Sequence, residues 1–332
     1  MTCGPGANAD STVPPAWPGL PAVSLPSGWV YNANGSWGDG LSEVARARQW
    51  IKIPAQAVAV QLLKAPATKY PADDPQGRIS TQDISVSLFL SSPAGAKDGY
   101  GIGLPTTVRT VAFGAIPIQA DVQLEQLRNS GGLPVPLQLH DHLVAYQNTS
   151  AQQVRPGFSS AARTDITISG KVRVRLTALS VDGVDMGLRD CVSAPIDLDL
   201  KSGTMWAGDP LTDVQTQSFP EGSTAANTWQ AVHGVGTLNG GAVSGDIDIP
   251  AFSHCLTTSG EDLSPLLTNS ISGPGNPVTV GYASISAGTH TCSTVNPENP
   301  LVLVGRGPFR GDPSDCDPDF GPPTLDYPER GR

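Results

Sequence analysis

Thirty-seven glycines and 31 prolines punctuate the 332 residues of this chain, and long helices do not survive that load. Gly costs about 1 kcal/mol and Pro about 3 kcal/mol in a helix interior. Residues of both kinds belong in turns, loops and strand ends. They therefore select a turn-rich β protein, long enough for one large domain or two ordinary ones.

The apolar residues between these breaks recur with period two, the pattern of strands with one buried face. Ile84, Val86, Leu88 and Leu90 alternate with Ser85, Ser87 and Phe89. Ile166 and Ile168 alternate with Asp165, Thr167 and Ser169, and Val172, Val174 and Leu176 with Lys171, Arg173 and Arg175. Ile196, Leu198 and Leu200 repeat the pattern, as do Ile247 and Ile249, then Val278, Val280 and Tyr282. Asp182-Gly183 and Asn239-Gly240-Gly241 are hairpin or turn pairs. Ser272–Pro277 predicts a compact turn. Leu263, Leu266 and Leu267 have helical spacing and predict one short helical turn capping the fold.

Charge removes two classes of partner. The net charge is −10 and charged residues are 15% of the chain, with no basic run. Nucleic acids and anionic membranes are bound through Lys/Arg clusters, so neither is expected. No apolar stretch approaches the ~20 residues of a spanning helix. Protein partners or self-assembly remain, and no cofactor motif is present.

The first 52 residues read as an extended arm. Val13–Pro18 and Leu25–Trp29 are polyproline and turn segments, and Trp17, Trp29, Trp37 and Trp50 need a surface to cover them. A weak helical pattern covers Leu41–Trp50. Within the arm, Ala7-Asn8-Ala9 has the form of a signal-peptidase site, which makes residues 1–9 either a signal-peptide remnant or a coincidence of composition. Cleavage there would remove Cys3 and leave Cys191, Cys255, Cys292 and Cys316, enough for two disulfides in an oxidising compartment. Their spacing fits no zinc site. Residues 53–305 read as the folded body, one sandwich or two subdomains, and 306–332 as an acidic, Pro-rich tail.

Motifs that carry chemistry are sparse. Asp98–Gly103 is glycine-rich, but Leu104-Pro105-Thr106 follows where a dinucleotide loop would open a helix, so it reads as a flexible loop. His140 and His142 are two apart and would share one face of a strand, a candidate metal pair lacking a visible third ligand. Two exposed strand histidines are the ordinary reading. Asp312, Asp315, Asp317 and Asp319 lack the Gly and distal Glu of an EF-hand loop. Arg310-Gly311-Asp312 spells an adhesion tripeptide short enough to recur by chance. No catalytic constellation stands out, so no catalytic residue is assigned.

Four segments resemble a family of secreted actinobacterial β-sandwich proteins of unknown function. They are Thr107–Gly114, Leu179–Asp185 followed by Cys191, Gly245–Phe252 followed by Cys255, and Glu261–Asn276. The resemblance implies export and a sandwich, and supplies no catalytic residues. It also motivates pairing Cys255 with Cys292, which bracket the most specific segment, leaving Cys191 for Cys316. The expected molecule is an all-β antiparallel sandwich, at the cell surface or outside the cell, binding or building without catalysis. A phage virion protein is the second reading, since no complete signal peptide is visible. An envelope-polymer hydrolase is the third.

Overall fold

The computed structural model describes residues 11–66 (apart from 16 and 18), 68–69, 79–112 (apart from 94 and 95), 116–147, 160–206 (apart from 165 and 202–204) and 241–282. The chain runs β1 (Ser11–Val13), β2 (Val23–Leu25), β3 (Val30–Val44), β4 (Gln49–Lys64), β5 (Thr68–Lys69), β6 (Ile79–Leu90), β7 (Thr106–Ala112), β8 (Ile116–Gln126) and β9 (Leu137–Gln147). It continues β10 (Ser160–Thr164), β11 (Ile166–Val181), β12 (Val184–Asp185), β13 (Cys191–Ser193), β14 (Ile196–Lys201) and β15 (Met205–Trp206). The last described elements are β16 (Gly241–Ile249), β17 (Phe252–Ser253), helix α1 (Ser264–Ile271) and β18 (Gly273–Tyr282). The all-β antiparallel class expected from alternation is what the structure shows. Cys3, Ala7–Ala9, Asn239-Gly240, Cys292, Arg310 and the Asp312–Asp319 tail, with Cys316, lie outside the described residues.

One sheet dominates, with strand order β9-β6-β4-β3-β18-β16-β14-β11, and a further β9–β11 pairing joins its ends. The eight strands form a ring, so no edge is left between them. Inside it, Val60, Leu62, Ile84, Val86, Leu139, Ile166, Ile168, Leu200, Val243 and Val278 pack into one apolar core. Ile84, Val86, Ile166, Ile168, Leu200 and Val278 are inward members of the alternating runs, and Val60, Leu62, Leu139 and Val243 join them from β4, β9 and β16. Their outward neighbours on β11 and β14 are mostly polar, as period two allows, whereas Ala57, Ala59 and Phe89 make a buried apolar patch on the outer face of β4 and β6.

Beyond this packed end the ring opens into two layers. The far halves of β3, β4, β16 and β18 form one. β11 departs from the ring to pair with β8, and β8 with β7, to form the other. This two-layered half matches the expected sandwich. A bulge between Leu176 and Ala178 reverses the side-chain parity of β11. Leu179 and Val181 thereby continue the apolar face begun by Val172, Val174 and Leu176. On the outer face of the same layer, Thr107 donates to Asp121 at 2.6 Å and Arg109 to Gln119 at 3.1 Å. Glu125, 8% exposed, is held there by Arg175 at 2.5 Å and Arg173 at 3.4 Å.

Several local expectations change. Residues 30–52 are not an arm. They form β3 and the start of β4, paired from Val30↔Lys64 to Val44↔Gln49. The helical pattern over Leu41–Trp50 is therefore a β-hairpin, turning at Ala45–Arg48 with Arg48 at φ 52 and its N–H donated to the Ala45 carbonyl. The arm is shorter, a small β1–β2 hairpin in which Trp17 (5% exposed) and Leu20 (3%) are buried. The Pro21 carbonyl there accepts from Gln61 Nε2 at 3.4 Å. Trp29 and Trp50 are half-buried.

Asp98–Gly103 is an ordered crossing rather than a flexible loop. Gly101 N–H donates to Leu90, Gly103 N–H to Leu124, and Gln126 N–H to the Gly101 carbonyl. Tyr100 is 1% exposed, and burial raises its phenol pKa well above the ordinary value. The Ser272–Pro277 turn is a bulged beginning of β18 that pairs with β16, with Gly275 at φ 66. Asp182-Gly183 is the expected tight turn, both residues at positive φ, between β11 and β12.

Candidate functional site

The two layers do not meet. Between them lies a hollow of about 780 Å³. One wall is built in rows across three strands: Thr106–Val122–Leu176, Val108–Ala120–Leu179 and Thr110–Ile118–Val181. The facing wall carries Ile51 and Ser42 beside Val278, and Ile53 and Gly40 beside Val280. The hollow ends on Leu137, Leu139 and Ile168, at the top of the packed core. Many lining side chains, among them Val108, Ile118, Val122, Val174, Ile249 and Val280, are only half-buried although they point away from the outer surface. They face empty space in place of packed neighbours.

The two sides of the hollow are closed differently. On one side, β7 and the far half of β4 run as separate edges, bridged by side-chain amides. Gln56 Oε1 accepts from Leu104 N–H at 2.5 Å, and Thr110 donates to Gln49. On the other side stands α1. Pro265 occupies its first turn, where a missing N–H costs nothing. Leu263, Leu267 and Ile271 press against Phe252, Leu176 and the disulfide.

That disulfide corrects the expected pairing. Cys191 bonds to Cys255, with Cα atoms 4.1 Å apart. The cause is the β13–β17 pairing, Val192↔Ser253 and Ser193↔Phe252, which brings the two cysteines together. The bond fastens β11, through Leu176↔Cys191, to the segment leading into α1. Asn276, 1% exposed, performs a similar task at the opening. Its Oδ1 accepts from Ala45 N–H at 2.9 Å, and its Nδ2 donates to the Ile247 and Gly273 carbonyls at 3.0 and 2.7 Å.

The rim carries solvent-exposed lining residues from three elements: Arg46 and Ala47 in the β3–β4 turn, Ile116 at the head of β8, and Leu266 and Asn269 on α1. Ile116 is 38% exposed and Leu266 41%. Arg46 donates to the Thr268 carbonyl at 3.5 Å, linking turn to helix. Asp39, in the register shift of β3 between Gly38 and Gly40, belongs to the lining as well. Burial raises its carboxyl pKa from 3.8 to about 6, against the opposing pull of its own N–H and of Lys52.

The sequence-derived candidates fall elsewhere. His140 and His142 do share one face of β9, but it is the exposed outer face. His140 Nδ1 lies 3.2 Å from Ser85 Oγ, and His142 Nδ1 lies 2.7 Å from Asp83 Oδ1. Among the described residues no three His, Cys, Asp or Glu are grouped to hold a metal ion. No helix of the described residues is long and apolar enough to cross a membrane. No known protein family, curated protein or solved structure matches this chain, so the site is assigned from its own geometry.

Proposed function

We propose that this is a non-enzymatic binding protein of the cell envelope or extracellular space, which holds a largely apolar small molecule between its two layers. The observation that carries the reading is the hollow. Its volume lies within the range of small-molecule sites, and its walls are apolar with few polar groups. Apolar walls offer water few hydrogen bonds, which favours an apolar occupant. The Cys191–Cys255 bond is in keeping with an oxidising compartment.

Titration with Nile red, a neutral apolar dye, tests the reading. The expected result is saturable binding of one dye per chain, reversed by hexadecanol. Fluorescence that rises without saturation, or that hexadecanol does not displace, would overturn it.

A further inference from the structure

The class of ligand follows from the charge and shape of the hollow, and rests on the binding reading above. Its charged lining residues are Asp39 and Arg46. They stand at different depths. Asp39 is within the sheet, opposite Gly281 of β18, whereas Arg46 is exposed in the turn at the rim. Among the described residues Arg46 makes no ion pair. Its recorded contact is the 3.5 Å hydrogen bond to the Thr268 carbonyl, which leaves most of its five donors free. Arg48 is exposed in the same turn but does not line the hollow.

Shape narrows the class further. On β4 the lining extends from Gln49 to Val58, a run of about 30 Å at ~3.3 Å per residue. A round chamber of 780 Å³ would be only about 11 Å across, far short of that strand length. The hollow is elongated along β4, with the packed core at one end and the turn that carries Arg46 at the other. An extended chain can follow that length from end to end, which a compact ring system does not.

We propose that the hollow takes a single-chain amphiphile, with a long hydrocarbon chain along the β7–β8–β11 wall and an anionic headgroup, carboxylate or phosphate, against Arg46. The net charge of −10 repels anions at long range. Contact with Arg46 works within a Debye length, where the local cation decides. The headgroup preference is therefore modest, about three- to tenfold, as for an exposed charge-assisted hydrogen bond.

Isothermal titration of the full-length, oxidised, lipid-stripped protein with hexadecanoate, hexadecyl phosphate, hexadecanol and cholesterol separates the cases. At least one of the two anions should bind about three- to tenfold more tightly than the alcohol, and the tighter of them identifies the headgroup chemistry. Cholesterol should bind more weakly than any of the three chains. In Arg46→Gln the anion-to-alcohol ratio should collapse towards one while the alcohol affinity stays, which also shows that the variant is folded. Equal affinity for alcohol and both anions, a ratio that survives Arg46→Gln, or preferred cholesterol would overturn this inference and leave the binding reading standing. Failure of all four ligands to bind would overturn both.

Discussion

Asp39 shows how a single side chain senses the architecture around it. Its Oδ1 is buried without a hydrogen-bond partner, and desolvation raises its pKa to about 6. The folded state thus binds this proton more tightly than the unfolded chain, whose Asp titrates near 3.8. Stability falls as pH rises from about 4 to about 6, and stays lower above that. Asp39→Asn should be more stable than the parent at pH 7 by about 1–2 kcal/mol, after discounting the exposed part of the group for screening. The gain should shrink towards zero at pH 4. Urea midpoints of the two proteins measured across that range check this, and parallel profiles would contradict it. Nothing in the sequence around Asp39 marks it, because Gly38-Asp39-Gly40 looks like a turn. Its burial follows from a register shift that depends on the partner strand. Asn276 was within reach of sequence reading only as part of a Gly/Pro-rich segment. Its role as a clamp needs Ala45, 231 residues away.

At the scale of elements, alternation identified β6, β11, β14, β16 and β18 and leucine spacing identified α1, but alternation left out β4 and β9, which supply Val60, Leu62 and Leu139 to the core. It also missed β3. Along its far half the inner face of that strand is Gly38, Gly40, Ser42 and Val44, too small and polar to produce a hydrophobic period. Its regularity comes from pairing with β4 and β18. The disulfide was misassigned for a related reason, since proximity in sequence to a distinctive segment says nothing about which strands pair. Cys191–Cys255 closes a loop of sequence separation 64. Replacing both cysteines by Ser should lower stability by about 4 kcal/mol on the chain-entropy model. Denaturant unfolding measures the loss, and non-reduced peptide mapping checks the linkage. A peptide joining Cys255 to Cys292 would contradict the structure.

For the whole molecule, period two reports which face of a strand turns from water. It does not report how far apart two such faces stand. Of the rows Val108–Ala120–Leu179 and Ile53–Gly40–Val280, only Val280 stood in an alternating run, and the space between the rows was not legible at all. Closure of the ring through β9–β11 was equally hidden, as it depends on long-range pairing. The resulting body is packed at one end and hollow at the other, with polar ladders outside. That hollow is the central claim, and the stability of a filled variant tests it most directly. Val108 is half-buried in the middle row of the wall. If the space is real, Val108→Phe fills it, so the unfolding midpoint should hold or rise while hexadecanol binding weakens at least about tenfold, by analogy with cavity-filling substitutions. A Val108→Phe protein destabilised by about 1–3 kcal/mol, as overpacking does to a full core, would contradict the hollow and the function built on it.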